Sequence, residues 1–546
     1  MTKLQTLLEE KILAQMHIED RSQLELWKNN VYHMNQDIAN QFWDTIAQAP
    51  YVYIVNDYDV DGICAGYIMS KAIRHRHPQL PICIRTPRRL SEGYGMNWKI
   101  VEKIKEKVPK GGVIVTVDNG IACADILEHL KQEGYKVLLT DHHELGKNKI
   151  PEVDMVINPK VPINGTNYFN GDYWCGAAVA YKLAESFISE DLRQELEIFA
   201  GIATIADIMP LKEGNWAMVR RTMHKIANKK APASLLMLFT ELKQNVLNLQ
   251  ETTISFYLAP TMNAPGRLYD DGPKKVLSYL LNPTMEKCKE LVAINEERKT
   301  LKEEQWEEIK AIIYEKGMEN DCPIWVEAPH LHEGIVGILA GKVVEEFGVP
   351  AIVLTASEQD PTIYKGSVRS AGDIDIFQYL CNMDQCFLGF GGHPGAAGLS
   401  MKKDQIEVAR TYQLPKPTIQ QNNIQITIQP LQIDEVTTII DQYRPFGEEN
   451  PMPDFSVDIN MNTLPKEQIR FVGQPPIHLC ISDPIRQYKI LHFNHVDEEN
   501  QLMNRSNFRL IGDVHYEEFR DTINATLVAH KMEDIDISEH EYDKEI

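Results

Sequence analysis

The sequence predicts an α/β protein: a parallel-sheet domain first, a smaller α/β domain reached through a long helix, and a β-rich domain at the end. Three observations carry this. From Tyr51 to about Leu211, short β-branched runs alternate with helical stretches, as βαβ units and a parallel sheet require. A second alternation of this kind fills residues 321 to 405. From about residue 422 the segments shorten and alternate apolar with polar residues, as in "IQITIQP" and "FSVDINM", which suits half-buried strands.

Taken in order, "MTKLQTLLEEKILAQM" puts Leu4, Leu7, Leu8, Ile12 and Met16 at helical spacing. Glu9 and Glu10 interrupt the apolar run that a secretory leader would need, so a helical arm over 1–45 is expected instead. In the first domain, 46–215, the strand candidates are "YVYIVND", "PICIRTP", "GVIVTVDNG", "YKVLLTDHH" and "DMVINP". Ligands of parallel sheets sit beyond the carboxyl ends of the strands. That is where the polar residues gather: Asp57, Asp59 and Asp61 after the first strand, Asp118 after the third, and Asp141, His142 and His143 after the fourth. Asp207, in "IADIMPL", follows a further apolar run.

Residues 216–320 read as a helical connector, closing on an amphipathic helix with Leu291, Ile294, Leu301, Ile309 and Ile313 on one side. "CPIWVEA", "GIVGILAGKVVEEFG", "PAIVLTA" and the glycine-rich "GFGGHPGAAGLS" define a second α/β domain over 321–410. "YQLPKPTIQQNN" reads as a linker into an all-β domain over 420–535, and 536–546 as a frayed acidic tail.

A chain of 546 residues has room for about three or four domains. Nine cysteines, an odd number without a CxxC pair, argue against a disulfide framework or zinc site and for a reducing cytoplasm. No apolar run is long enough to span a bilayer. The net charge of −22 argues at face value against a polyphosphate partner. Carboxylates concentrated at a metal site would account for part of that charge. The local balance also differs, since Lys71, Arg74, Arg76, Arg85, Arg88 and Arg89 fall in a stretch without an acid.

"NDYDVDG" spaces three carboxylates two apart, so that on an extended strand end they share one face. Their repulsion calls for divalent cations, and Gly62 would permit the tight turn into the next helix. An oxygen-rich set suits Mg²⁺ or Mn²⁺, and a histidine within it favours Mn²⁺. Two such ions about 3.5–4 Å apart are a recurrent device of phosphoryl chemistry. Singly, "VDNG" is more often a turn and "GGHPGAAG" a close backbone approach. The EF-hand spacing and the phosphate-binding P-loop are both absent, "GILAGKV" having the wrong glycine spacing.

In this order, "DYDVDG", "VDNG", "DHHE" and "ADIMPL" resemble the four motifs of the DHH phosphoesterase superfamily, and "HEGIVGILAGKV", "KGSVRS" and "GGHPGAAG" resemble its DHHA1 domain. "RLSEGYG", "NAPGRL", "LVAINEERK" and "RPFGEENPMPDF" are similar to the RecJ group of single-stranded-DNA exonucleases. The resemblance runs from about residue 50 to 460. It implies a DHH domain and a DHHA1 domain joined by the long helix, with an OB-like β-domain that grips the strand. Asp59, Asp61, Asp118, His142 and Asp207 match metal ligands, assisted by Asp57. His143 would lie beside the scissile phosphate, with Asp118 in the catalytic set and Asp141 orienting a histidine through its second ring nitrogen. Arg89, Arg267, Ser367, Arg369 and His393 match positions that hold DNA phosphates. In "KGSVRS" two hydroxyls, the backbone amides around Gly366 and the Arg369 guanidinium could converge on a terminal phosphate.

The implied activity is 5′-to-3′ hydrolysis of single-stranded DNA to 5′-mononucleotides with Mn²⁺ or Mg²⁺, two ions at the site, in DNA repair and recombination. A cytoplasmic monomer is expected, with single-strand-binding protein and a helicase as partner classes and no membrane. The alternatives are a DHH–DHHA1 phosphodiesterase for short oligoribonucleotides or cyclic dinucleotides, and a replication or repair scaffold without catalysis. The "EERK" helix and the β-domain favour the exonuclease over the first, and the intact ligand set favours it over the second.

Overall fold

A computed structural model describes residues 2–29, 34–88, 91–93, 95–146, 149–162, 167–357, 359–418, 425–472, 478–483, 488–493, 507–519 and 522–535. The first domain is built on strands β1 (Val52–Asn56), β2 (Ile82–Arg85), β3 (Val113–Val117), β4 (Lys136–Thr140) and β5 (Met155–Ile157). They form one parallel sheet in the order β2-β1-β3-β4-β5. Alternate residues serve two cores. Val52, Ile54, Val113 and Val115 pack with the helices Val60–Arg76, Gly176–Ala184 and Glu190–Ala206 on one face. Tyr53, Val55, Ile114 and Val137 pack with Trp98–Lys107 and Ala124–Gln132 on the other. The chain leaves β1 towards β2 and then crosses to β3 on the opposite side. The β1 and β3 loops therefore flank a topological switch point, where doubly wound sheets open a crevice.

The expected connector does not stand apart. Its helices Glu213–Ala227, Ala233–Glu241 and Gly272–Leu281 bury Val219, Ile226, Leu235, Phe239 and Val276 in the first domain's core. The long bridge is the helix Met285–Glu315: 31 residues, about 46 Å at the usual rise. Thr284 caps its start by accepting from Lys287 N. Leu291 lies in the first core, while Ile294, Trp306, Ile309 and Ile313 lie in the second.

The second domain carries β6 (Ile324–Glu327), β7 (Ala351–Ala356), β8 (Ile363–Arg369), β9 (Gly389–His393) and β10 (Ala396–Lys402) in the order β6-β7-β8-β10-β9. Only β6 and β7 run parallel. The helix Val336–Phe347 covers one face through Leu339 and Val343, and Ile376, Leu380 and Ile406 cover the other.

The third domain is a seven-stranded sheet of β11 (Gln425–Thr427), β12 (Asp454–Asn460), β13 (Ile469–Val472), β14 (His478–Asp483), β15 (Tyr488–His492), β16 (Asn507–Phe519) and β17 (Thr522–Asp534), in the order β11-β12-β16-β17-β15-β14-β13. It is not all-β as expected, because "IDEVTTII" forms the helix Ile433–Ile440 and buries Ile433, Val436 and Ile440 against the sheet. That segment's apolar residues recur at helical rather than alternate spacing. The N-terminal helices Lys3–Gln15 and Arg21–Asn29 share this core through Leu8, Ile12 and Trp27. Trp216 joins it and donates from Nε1 to the Tyr443 carbonyl at 3.2 Å. The expected acidic tail, 536–546, lies outside the described residues. Among the described residues no helix is long and apolar enough to cross a membrane.

Candidate active site

The three carboxylates after β1 do not lie along an extended strand end. A helix begins at Val60, so each carboxylate meets a different partner. Asp57 accepts from Tyr58 N at 2.8 Å, and Asp59 caps the helix by accepting from Gly62 N at 3.1 Å. Asp61, in the first turn, accepts from Gly176 N and Ala177 N at 2.7 Å each. Those amides open the helix Gly176–Ala184, whose positive end suits a carboxylate. Gly62 serves close approach rather than a turn, since a Cβ there would stand 2.6 Å from the Asp57 backbone. Gly176 likewise leaves room for Asp118, whose Cβ would be 2.4 Å from an added one.

Asp118, at the end of β3, has φ 60°, a left-handed conformation that aspartate tolerates better than most residues. After β4, the buried Asp141 accepts from Ile121 N at 2.9 Å and His142 N at 2.8 Å, and meets His143 Nδ1 at 2.7 Å. The orienting role therefore falls on His143, not on its buried neighbour. Burial disfavours charge on this pair, but mutual attraction outweighs it: His143 is pushed up to about 10 and Asp141 held down to about 2.

His142 points Nε2 at three carboxylates: Asp118 at 3.1 Å, Asp207 at 3.5 Å and Asp61 at 3.6 Å. Burial, and then the charge on His143, lower its pKa to about 4, so it is a neutral donor near neutral pH. Asp207 is not at a strand end. It caps the helix Glu190–Ala206, whose apolar run alone cannot be told from a strand. Burial and then Asp61 push both Asp118 and Asp207 well above the carboxylate range, and burial with Asp59 raises Asp57 to about 7. Two buried atoms of this cluster, Asp118 Oδ1 and His142 Nδ1, have no hydrogen-bond partner among the described residues.

Crowded carboxylates around a neutral imidazole fit a hard divalent cation. Two ligand groups, Asp118–His142–His143 and Asp61–His142–Asp207, each bring their atoms within 4.8 Å of one another and share His142. Asp57 and Asp59 lie in the adjoining loop, outside both groups.

Beside this cluster a cavity of about 870 Å³ opens between the two α/β domains, lined by Tyr58, Ser91, Arg267, Gly337, Ser367 and Arg369 among others. Arg369 donates to Ser367 Oγ at 2.8 Å, and Arg267 to the Gly334 carbonyl at 3.5 Å. The backbone amides around Gly366 do not face the cavity as expected. Strand β8 is paired on both sides, Gly366 standing opposite Leu354 and Leu399, so the sheet uses those amides. What approaches this corner instead is the start of the helix Val336–Phe347, where a Cβ on Gly337 would sit 2.8 Å from the Arg369 guanidinium. His393 ends β9, its Nδ1 accepting from Gly395 N at 3.2 Å, and burial with Arg369 lowers its pKa. Arg89 lies outside the described residues.

Two supporting residues escaped the sequence reading. Asn263 accepts from Val60 N at 3.0 Å, and Asp270 accepts from Ser91 N at 3.0 Å and Ser91 Oγ at 2.6 Å. One segment thus holds two walls of the site. Asn263 lay inside the quoted "NAPGRL", but nothing local marks Asp270 as a partner of Ser91.

Fold and site together are like those of one class, DHH proteins that carry a DHHA1 domain. The DHH family, N-terminal domain profile matches residues 51–209, the DHHA1 domain profile 323–412, and the RecJ OB domain profile 424–531. Within that class the chain is RecJ-like, with these three domains in series. It is 28% identical over 502 residues to the single-stranded-DNA-specific exonuclease RecJ of Bacillus subtilis, covering 89% of this chain and 61% of that protein. The Escherichia coli counterpart is 29% identical, over 65% of this chain and 64% of its own length. The chain thus spans a little over three fifths of these relatives. The crystal structure of RecJ in complex with Mn²⁺ from Thermus thermophilus shares the fold, with a TM-score of 0.75 and 21% identity over 97% of this chain and 78% of that one.

Proposed function

We propose that the chain is a divalent-metal-dependent exonuclease that hydrolyses single-stranded DNA from its 5′ end and releases 5′-mononucleotides, acting in DNA repair and recombination. The observation that carries this reading is the carboxylate–imidazole cluster opening beside a cavity lined by Arg267, Ser367 and Arg369. Relatives of this domain set are named as single-stranded-DNA exonucleases, and a structural relative was crystallised with Mn²⁺.

Asp61, Asp118, His142 and Asp207 would hold the metal, Mn²⁺ or Mg²⁺ and two ions in all, with Asp57 and Asp59 supporting them. Such ions supply neutralisation of phosphoryl charge and activation of water. His143, protonated and braced by Asp141, is set to steady charge on the scissile phosphate or pass a proton to the leaving 3′-oxygen. Arg369 and Arg267, with Ser367, His393, Arg89 and the helix start at Gly337, would hold the terminal phosphate. Guanidinium forks and helix N-termini both suit a phosphate dianion. A terminal phosphate held there brings the first phosphodiester to the acidic cluster, which sets the 5′ polarity. The OB-like domain would hold the rest of the strand by stacking and backbone contacts.

We take 46–215, 216–320, 321–410 and 420–535 as working domain limits, with 1–45 as an arm. A cytoplasmic monomer working with single-strand-binding protein and a helicase completes the reading. End-labelled single-stranded DNA with Mn²⁺ tests it: mononucleotides should appear from the 5′ end. Release from the 3′ end, or equal attack on blunt duplex, would refute it.

A further inference from the structure

The last strand of the first sheet, β5, supplies none of the residues so far assigned. Its end is nevertheless tied to the histidine loop. Asn158, buried, donates from Nδ2 to the His143 carbonyl at 2.9 Å and accepts from Lys160 N at 2.9 Å. This fixes the backbone of Lys160 beside His143. The Lys160 ammonium lies 3.2 Å from the carboxylate of Glu144, the next residue after His143. The pair is unequal: the lysine side chain is 23% exposed and the glutamate 73%. A partner that open to water is cheaply exchanged.

The position of the ammonium matters more than its present partner. Through Glu144 and the Asn158–His143 bond it sits against the loop that carries His142 and His143, and in the second domain its charge joins burial and Arg369 in lowering the pKa of His393. The side chain therefore stands within electrostatic reach of the acidic cluster on one domain and of β9 on the other. The arginines already named, Arg267 and Arg369, belong to other elements, the helix Ala259–Leu268 and β8. A nucleotide strand entering this cleft brings its phosphates past a group of carboxylates, where a mobile cation is needed. A lysine, a point charge on a flexible stem, suits phosphates that move through in succession.

We propose that Lys160 binds the internal phosphate that lies at the acidic cluster, leaving Glu144 when the strand enters. This rests on the nuclease reading above. The test compares the full chain with Lys160→Gln, Lys160→Arg and Glu144→Gln, using a 5′-phosphorylated DNA strand. Binding is followed against salt concentration, and hydrolysis is measured with Mn²⁺. Lys160→Gln should weaken binding about tenfold at low salt and reduce the log–log salt slope by about 0.7, the value for one phosphate on a single strand. Lys160→Arg should keep most of both, and Glu144→Gln should keep the slope and tighten binding. Among strands with one neutral methylphosphonate at each of the first linkages, one should reproduce the loss in the unmodified protein and add nothing in Lys160→Gln.

An unchanged slope overturns the proposal. So does a Glu144→Gln defect equal to that of Lys160→Gln, which would make the pair a brace for the histidine loop. Hydrolysis by the unmodified protein alongside either result overturns this proposal alone. A chain that neither binds nor hydrolyses the strand overturns the nuclease reading as well.

Discussion

Asp118 is held at φ 60°, is buried, and turns towards His142 an oxygen that has no hydrogen-bond partner among the described residues, so its carboxylate is placed for a ligand at the expense of local comfort. Asp118→Asn should lower hydrolysis at least about a hundredfold, the scale of losing one key electrostatic group. It should also raise the melting temperature of the metal-free protein, because a buried carboxylate among others is removed. A lower melting temperature would show that Asp118 braces the loop instead. The same logic sets a pH dependence. Asp57 titrates near 7 in the folded chain against an ordinary 3.8, so the folded state binds the extra proton between about pH 4 and 7. Asp118 and Asp207 shift in the same direction, while His142, lowered to about 4, opposes them below its ordinary value. Stability of the metal-free protein should therefore fall as pH rises from about 4 to 7. Mn²⁺ should restore most at the upper end of that range, as melting curves in chelator and in Mn²⁺ would record. Flat curves would mean the carboxylates are solvated rather than crowded.

At the level of elements, helix starts do much of the positioning. The helix Gly176–Ala184 opens on Asp61, and the helix Val336–Phe347 opens on the Ser367–Arg369 pair. Gly337→Ala would set a Cβ 2.8 Å from the end of the Arg369 side chain and 3.1 Å from Ser367 Oγ. A guanidinium can swing away, so the fold should survive while the cavity loses its fit. We expect Gly337→Ala and Arg369→Ala each to weaken action on 5′-phosphorylated strands about tenfold or more, with much smaller losses on 5′-hydroxyl strands. Equal losses on both substrates would mean that this corner packs or grips generally. Asn263 holds the start of the helix Val60–Arg76 from a distant segment. Asn263→Ala should reduce kcat more than KM, since the cluster would loosen without the cavity being touched.

For the whole molecule, the third domain is joined to the rest by more than a linker. Leu8, Ile12, Trp27 and Trp216 share its core, and Arg444 pairs with Glu251 at 2.6 Å in the helical region. Truncation after Pro417 should therefore uncover the N-terminal helices, making residues 2–29 the first site of proteolysis. In a variant that also lacks residues 1–33, KM on long single strands should rise by about two orders of magnitude, because each stacked base contributes about 1–3 kcal/mol. Cleavage of very short oligonucleotides should change little. Equal weakening on both lengths would assign the domain to support of the fold.

The amino-acid sequence by itself determined most strands and helices of the two α/β domains and the chemistry of their loops. β-branched runs such as "YVYIV" and "GVIVTV" report burial on both faces, and Asp57, Asp118, Asp141 and His142 follow them directly in the chain. Periodicity says which side of an element is buried, not against what. The tertiary structure alone decided that the apolar run before Asp207 is a helix, that Asp61 meets the amides of Gly176 and Ala177, and that Asp270 holds Ser91. It also decided that the N-terminal helices belong to the core of the C-terminal sheet. The physical reason is common to all four. Each is an outcome of packing between residues far apart in the chain, and no propensity or spacing within a short window responds to a partner a hundred residues away.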